Sequence, residues 1–193
     1  MQTPLILASS SPYRAELLAR LGLPFIQDRP DIDETALPGE TPSATTLRLA
    51  MEKARHVARR HPGHLVIGSD QLASLHGRAI GKPLTRERAA SQLRELSGQH
   101  LVFHTALCVW DARDDSHQLA DTPCEVTYRE LDEDTITRYL ARELALDCAG
   151  ATKIEGLGIT LTTSVRCDDP TALIGLPLIR LIDFLHARGI LLP

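Results

Sequence analysis

Apolar runs and amphipathic stretches alternate along the chain, and their spacing predicts both strands and helices. Residues 4–8 form a short apolar run, which we interpret as a strand. The next residues, 9–12, are Ser-Ser-Ser-Pro and combine an N-cap serine with proline in the first turn of a helix that runs towards Gly22. Thr41-Pro42 begins a second helix in the same way, and this helix is predicted to end near His61.

The remaining segments predict a sheet with strands of mixed direction. Residues 100–110 and 118–130 are rich in β-branched and aromatic side chains, and we interpret them as an antiparallel pair. The other predicted elements are, in chain order, a strand at 65–75 with a turn at His76-Gly77, a helix at 85–96, a helix at 132–143, a strand at 158–166 and a helix at 176–188. Such a mixture predicts an α/β or α+β fold, with a mixed β-sheet flanked by helices. Because no repeat or low-complexity linker interrupts the pattern, residues 1–193 are expected to form a single domain.

Composition excludes several classes of protein. The chain is 43% hydrophobic and 24% charged, which are ordinary values for a globular protein. A net charge of -4 and an aromatic content of 4% disfavour binding to nucleic acid, although a small anionic ligand would need only a local cluster of cations. The N-terminus has no basic segment followed by a long apolar run. We therefore expect a cytoplasmic protein without a signal peptide or a membrane partner.

Two common nucleotide-binding motifs are approached but not met. Residues 77–82, Gly-Arg-Ala-Ile-Gly-Lys, have three residues between the glycines instead of four, and Pro83 replaces the Ser or Thr of a P-loop. Gly156-Leu157-Gly158 begins a dinucleotide-binding pattern, but Leu161 stands where the third glycine belongs. A nucleotide site in this chain must therefore be assembled from dispersed residues.

Polar residues at the ends of apolar runs are the first candidates for chemistry. Ser9, Ser11 and Arg14 lie at the N-terminus of the first predicted helix, where backbone N–H groups and hydroxyls bind phosphate oxygens. Two simpler interpretations stay open at this point: the serines act only as helix caps, and Arg14 is a solvated surface residue. Lys82 is held between a glycine and a proline, a restrained position that a merely solvated lysine would not need.

Carboxylates form a second set of candidates. Asp31, Asp33 and Glu34 cluster in a loop without an obvious cationic partner, and a solvated acidic loop is the simpler interpretation. Asp70 directly follows the apolar run at 65–68, at the end of which a strand commonly delivers catalytic groups. Because a buried carboxylate is costly unless a metal or another cation meets it, Asp70 is predicted to be functional.

A series of short motifs follows in order from residue 5 to about residue 180: Ser9-x-Ser11-Pro12-x-Arg14, Asp33-Glu34, Glu52-Lys53-Ala54, Ser69-Asp70, Gly81-Lys82-Pro83, Ala149-Gly150, Glu155-Gly156 and Gly175-Leu176-Pro177. Together they resemble the Maf family of nucleotide pyrophosphatases. The resemblance implies an elongated α/β fold like that of inosine triphosphate pyrophosphatases, with two lobes and a central cleft. It also implies metal-dependent hydrolysis between the α and β phosphates of a nucleoside triphosphate and, as in many members, a homodimer.

The resemblance further implies roles for individual residues. Asp70 is expected to orient or deprotonate the attacking water and, with Glu34, to hold Mg²⁺ or Mn²⁺, since these cations prefer carboxylate oxygens. The residues expected to bind the phosphate chain are Ser9, Ser11, Arg14, Lys53 and Lys82. Which carboxylate is the base and which is the metal ligand stays open.

Tyr13, Gln71 and Glu155 resemble the branch of the family that acts on 7-methyl-GTP. A 7-methylguanine base carries a positive charge, so an aromatic ring and a carboxylate are expected to favour it. Gln71 is expected to donate and accept hydrogen bonds at the edge of the base. Two other functions stay open: a pyrophosphatase for dTTP and UTP, and a nucleotide-binding regulator of cell division with little turnover.

Overall fold

A mixed seven-stranded sheet organises residues 5–193, the part of the chain that this computed structural model describes. Its strands are β1 (Leu5–Ala8), β2 (Phe25–Gln27), β3 (Leu65–Leu75), β4 (Arg78–Ile80), β5 (His100–Asp111), β6 (Ser116–Tyr128) and β7 (Thr162–Cys167). Their order is β2-β1-β3-β5-β6-β7, with β4 paired to β3. β1 runs parallel to β2 and β3, and the other pairs are antiparallel. The prediction of a mixed sheet is confirmed, although residue 4 of the predicted first strand lies outside the described residues.

Helices cover both faces of this sheet. They are α1 (Pro12–Ala19), α2 (Pro42–Ala58), α3 (Arg86–Leu96), α4 (Glu133–Arg142) and α5 (Leu178–Ala187). Ser11 and Thr41 cap α1 and α2 by accepting a hydrogen bond from a backbone N–H of the first turn. Helix bounds agree with the predicted segments to within a few residues. Between residues 5 and 193, no helix combines the length and the apolar character that a membrane crossing requires.

The strand predicted at 158–166 is wrong in its first half. Leu157–Leu161 forms a 3₁₀ turn, and β7 begins only at Thr162. The hydroxyls of Thr160 and Thr162 each donate to the backbone carbonyl three residues earlier. Such bonds compete with the ladder of a sheet and hold the backbone in a turn.

Separate hydrophobic cores lie at the two ends of the long strands β3 and β5. At one end, α1 and α5 pack on one face of the sheet and α2 packs on the other. At the other end, α3 and α4 pack on the last residues of β3 and, because β5 is antiparallel to it, on the first residues of β5. Residues 69–72 of β3 belong to neither core. The predicted arrangement of two lobes is therefore confirmed, and the central cleft opens midway along β3.

Gly68 allows α2 to lie directly against β3. A Cβ on Gly68 would lie 2.3 Å from the carbonyl oxygen of Ala50 and 2.8 Å from the backbone nitrogen of Ala54. Because both are backbone atoms of α2, the whole helix would have to move to make room. The close approach places Lys53 of α2 beside Asp70 of β3.

We expect Gly68→Ala to lower the free energy of unfolding by about 1–3 kcal/mol, because the added methyl group forces α2 away from β3. Denaturant unfolding followed by circular dichroism measures the change. Gly81→Ala is the control, since a Cβ there meets no atom within 4 Å. If Gly68→Ala were as stable as the parent, the tight contact between helix and strand would be wrong.

Candidate functional site

A cleft of ≈ 890 Å³ opens between the two lobes, beside the middle of β3. Small-molecule sites commonly enclose about 300–1,000 Å³. All of the candidate residues line this cleft: Ser9, Ser11, Tyr13, Arg14, Glu34, Lys53, Asp70, Gln71, Lys82 and Glu155. The fold thus brings dispersed residues to one place, while their individual roles stay predictions.

Strand directions explain how polar groups reach the cleft. β1 and β3 are parallel, and Ala8 pairs with Gly68, so the residues that follow them emerge side by side. β1 ends at Ala8, and Ser9 begins the loop to α1. β3 continues for several residues because β5 pairs with it throughout. Asp70 therefore lies inside a strand, and its expected place at a strand end is wrong.

The Lys53 ammonium joins the two candidate carboxylates. Its Nζ lies 2.7 Å from Asp70 Oδ1 and 2.9 Å from Glu34 Oε1. Lys53 and Asp70 are only 4% and 6% exposed, whereas the side chain of Glu34 is 57% exposed. The acidic loop thus has a cationic partner, contrary to the simple interpretation of its sequence. Lys53 is too distant from Glu34 and Asp70 along the chain for a local sequence pattern to predict these contacts.

Burial raises the pKa of Asp70 above its ordinary value, because a carboxylate loses hydration inside the protein. The charges of Lys53 and Arg14 act in the opposite direction without cancelling the effect, and Glu34 adds to it. A carboxylate with a raised pKa is a better proton acceptor than an ordinary aspartate. This property suits a general base.

Arg14 and the serine loop form a cationic corner of the cleft. Arg14 Nε donates to the carbonyl of Gly175 at 2.9 Å, and Nη1 donates to Ser9 Oγ at 3.4 Å. Ser11 Oγ accepts from the backbone N–H of Arg14 at 3.4 Å. Burial lowers the pKa of Arg14, partly offset by nearby carboxylates, and an arginine still stays charged. Arg14 is therefore not a solvated surface residue, and the capping role of Ser11 coexists with the predicted phosphate role.

The segment that precedes α5 closes the cleft and contains groups that the sequence did not reveal. The carbonyl of Gly175 accepts hydrogen bonds from Arg14 and from Ser69 Oγ, the latter at 2.9 Å. Asp169, which is 2% exposed, fixes the segment by accepting hydrogen bonds from backbone N–H groups within it and at the start of α5. The motif Gly175-Leu176-Pro177 identifies this segment in the sequence. No sequence pattern, however, indicates that the carbonyl of Gly175 accepts a hydrogen bond from Arg14.

Gln71 uses its amide nitrogen within the protein. Nε2 lies 3.0 Å from Thr105 Oγ1, 2.9 Å from the carbonyl of Ala172 and 3.1 Å from that of Leu173. Because the carbonyls can only accept, this end of the amide must be the donor. No donor among residues 5–193 contacts Oε1. In this arrangement the oxygen of Gln71 is left for a ligand while the nitrogen is engaged within the protein, and the role of Gln71 at a base stays a prediction.

A second ion pair fixes the loop that carries Glu34. Arg48 of α2 donates to both oxygens of Glu40, at 2.6 and 2.8 Å, and to the carbonyl of Thr35 at 3.1 Å. The hydrogen bond from Arg48 is the main reason why the pKa of Glu40 falls to about 2. The loop is therefore tied to the same helix that presents Lys53 to Glu34.

Lys82 lies exposed in the loop between β4 and α3. In the described part of the chain, no carboxylate forms an ion pair with it. The loop is held in place through the next residues, because the N–H of Leu84 donates to the carbonyl of Leu146 at 3.1 Å. The charge of Lys82 is thus available to an anion in the cleft.

Tyr13 has an anionic and a cationic neighbour. Its hydroxyl donates to Asp147 Oδ2 at 3.0 Å, and the Lys153 ammonium lies 5.1 Å from its ring centroid. Glu155 is exposed and forms no ion pair or hydrogen bond within residues 5–193. The sequence does not single out Asp147 or Lys153 as site residues, because neither belongs to a motif and their spacing in the chain matches no known type of site.

Glu34 and Asp70 are the residues that suit a divalent metal. Among residues 5–193, no group of three or more His, Cys, Asp or Glu side chains is arranged as metal ligands. Mg²⁺, however, often uses only one or two carboxylates and completes its shell with water and substrate phosphates. Both carboxylates already approach one cation, the Lys53 ammonium. This donor set fits Mg²⁺ or Mn²⁺ bound together with a triphosphate.

Comparison with known proteins identifies relatives along nearly the whole chain. The profile of a family described as Maf-like protein matches residues 4–188. The 7-methyl-GTP pyrophosphatase of Aromatoleum aromaticum is 54% identical over 189 residues, which cover 98% of this chain and 97% of that protein. The 7-methyl-GTP pyrophosphatase of Methylobacillus flagellatus is 52% identical over 187 residues, or 97% of each chain. Among solved structures, the HAM1 protein from Coxiella burnetii is 20% identical, with a TM-score of 0.49 over 67% of this chain and 75% of that one.

We expect Lys53→Met to raise the pKa of Asp70 further, because it removes both the charge and the hydrogen bond that oppose the effect of burial. Titration of the Asp70 carboxyl carbon by NMR measures the midpoint directly. Arg86→Met, which removes an exposed positive charge from the start of α3, is the control. An unchanged midpoint in Lys53→Met would contradict the electrostatic coupling of the pair.

The same substitution should alter the pH dependence of stability. A carboxyl group whose pKa is higher in the folded than in the unfolded chain makes stability fall as pH rises through the interval between the two values. Lys53→Met widens that interval upwards, so the variant should lose more stability than the parent as pH rises from about 4 towards neutrality. Thermal unfolding across this pH range is the measurement.

Proposed function

We propose that this chain, which belongs to the Maf family, hydrolyses 7-methyl-GTP to 7-methyl-GMP and diphosphate with a divalent metal. The observation that carries the reaction type is a single cleft that holds a buried carboxylate with a raised pKa beside cations and a helix N-terminus. Relatives above half identity that are named 7-methyl-GTP pyrophosphatases support the choice of base.

Asp70 is suited to the attacking water. Its Oδ1 accepts from Lys53, whereas Oδ2 accepts no hydrogen bond from residues 5–193 and is therefore left for a water molecule. In the proposed reaction the water oxygen attacks the α-phosphorus, its proton passes to Asp70, and the bond to the β-phosphate oxygen breaks. The raised pKa of Asp70 favours this proton transfer.

Arg14, Lys53 and Lys82 are suited to the phosphate chain. Arg14 and Ser9 lie at the N-terminus of α1, where free backbone N–H groups favour anions. Lys82 is not paired with any described carboxylate, so it can offset charge on the departing diphosphate. Positioning and charge compensation of this kind supply most of the catalysis in phosphoryl transfer.

Glu34 and Asp70 would hold the metal. When bound, Mg²⁺ or Mn²⁺ supplies charge neutralisation and orientation of the phosphate oxygens. The division of labour between the two carboxylates follows from their burial: the exposed Glu34 is suited to ligation, and the buried Asp70 is suited to proton transfer as well.

A cytoplasmic location and a homodimer belong to the same proposal. Nucleoside triphosphates are made and used in the cytoplasm, so a pyrophosphatase that removes a modified one would act there. The homodimer is inferred from the family resemblance alone. Binding to nucleic acid is disfavoured by the net charge of -4.

We expect Asp70→Asn to reduce kcat by about 100-fold or more, because the amide cannot accept the proton of the attacking water. The variant should still fold, although with lower stability, since the buried Lys53 keeps only Glu34 as a negatively charged partner. Pyrophosphate release and circular dichroism are measured together. Asp134→Asn, an exposed position on α4, is the matched control. A folded Asp70→Asn with normal turnover would remove Asp70 from the mechanism.

A nucleotide panel tests the proposed reaction itself. We expect 7-methyl-GTP to have a higher kcat/KM than GTP, dTTP and UTP, with activity lost in chelator and restored by Mg²⁺ or Mn²⁺. Pyrophosphate release is the readout. A preference for dTTP or UTP would favour the other branch of the family. Tight nucleotide binding without pyrophosphate release would favour a regulator instead.

A further inference from the structure

The geometry points to Asp147 as a further specificity-determining residue, whose carboxylate compensates the positive charge of a cationic purine base bound in the cleft. This inference rests on the proposed function and deepens it. It concerns the end of the cleft that contains Tyr13, away from the carboxylates that face Lys53.

Asp147 holds a fixed negative charge on the wall of the main cleft. The Tyr13 hydroxyl donates to its Oδ2 at 3.0 Å, and the Lys153 ammonium lies 3.8 Å from its Oδ1. Burial by itself would raise the pKa of Asp147, but the hydrogen bond from Tyr13, a backbone hydrogen bond and the charge of Lys153 together outweigh it, so the pKa is lowered. The group is therefore an anion at neutral pH.

Glu155 is less suited to supply this charge alone. It is exposed and has no hydrogen bond or ion pair among the described residues, so its flexible side chain is fixed by no contact. An unrestrained, solvated carboxylate contributes little to an ion pair, because solvent screens the charge and ordering the side chain costs entropy. The side chain of Asp147 is also 57% exposed, but it is already ordered by the hydrogen bond from Tyr13, so it would not incur the entropic cost on binding.

Lys153 demonstrates that this place accepts a cation. Its ammonium lies 5.1 Å from the Tyr13 ring centroid and close to Asp147. Lys153 lines a second cavity of ≈ 280 Å³, together with Glu143, Glu155 and Tyr13. Tyr13 lines both cavities, whereas Lys153 lines only the second, so the ammonium approaches the Tyr13 ring without lining the main cleft. A cation already near the ring weakens its attraction for a second cation, so a carboxylate is the stronger source of selectivity.

Two substitutions should act in opposite directions. Asp147→Asn keeps the shape but removes the charge, and it should lower the ratio of kcat/KM for 7-methyl-GTP over GTP by about tenfold or more, the scale of one hydrogen bond or contact to a charged group. GTP, whose base is neutral, should be hydrolysed nearly as before. Lys153→Met removes the competing cation and should raise the same ratio. Asp134→Asn, the same chemical change on an exposed part of α4, should leave it unaltered.

Binding of monophosphates separates this inference from the proposed reaction. Calorimetric affinities of 7-methyl-GMP and GMP for the metal-free parent, Asp147→Asn and Lys153→Met require no turnover. The inference predicts that the parent prefers 7-methyl-GMP and that Asp147→Asn loses this preference, even if pyrophosphate release were absent and the proposed function failed.

Three results from the parent and Asp147→Asn overturn the inference: no preference in the parent, an unchanged preference in Asp147→Asn, or an equal loss of affinity for both monophosphates in that variant. An equal loss would assign Asp147 a purely structural role. A fall of the ratio in Lys153→Met as large as that in Asp147→Asn would overturn it as well, because the two residues would then act only as a structural unit.

Discussion

Lys53 and Asp70 face each other across the contact between α2 and β3, and both have lost nearly all of their hydration. Neither charge is tolerable alone at 4% and 6% exposure, and each has its nearest opposite charge in the other at 2.7 Å. The pair can form because Gly68 has no side chain to hold the helix away from the strand. The same ammonium reaches Glu34, so the packing of one helix on one strand also sets where the acidic loop meets the cleft.

Long periodic segments could be predicted from the sequence, because their spacing follows the helix or strand period. Ser9, Ser11 and Arg14 could be predicted because they begin a helix after an apolar run, whereas Lys53 inside α2 could be assigned only through the family resemblance. The contacts between these residues could not be predicted from the sequence. The bond from Arg14 to Gly175 joins residues 161 positions apart, and no local pattern encodes it. The 3₁₀ turn at Leu157–Leu161 replaced a predicted strand because threonine hydroxyls bond the backbone there, a choice that hydropathy does not record. The orientation of Gln71 depends likewise on carbonyls brought close by the fold.

Most charged side chains of the cleft already form ion pairs or hydrogen bonds within the protein. Arg14 already donates to a carbonyl and a hydroxyl, and Lys53 is shared between two carboxylates. Of the three cations assigned to phosphate, Lys82 alone has no described ion-pair or hydrogen-bond partner. A triphosphate carries several negative charges, and two carboxylates at the same place would repel it. A divalent cation between those carboxylates and the phosphates removes the repulsion, which gives the proposed metal an electrostatic reason as well as a chemical one.

The two ends of the cleft are built differently. Asp70 and Lys53 lie on a strand and a helix whose positions are fixed by two cores, and the loop at Ser9 is tied to Gly175 through Arg14. The Tyr13 end depends instead on residues 147–155, a segment that contains a 3₁₀ turn at Ala149–Ala151 and belongs to no strand or α-helix. Regular elements hold reacting groups more accurately than loops do, whereas loops tolerate substitution. Side chains at the Tyr13 end can therefore change charge while the positions of Asp70 and Lys53 stay the same, so the proposed catalytic arrangement is compatible with different bases at the proposed base site.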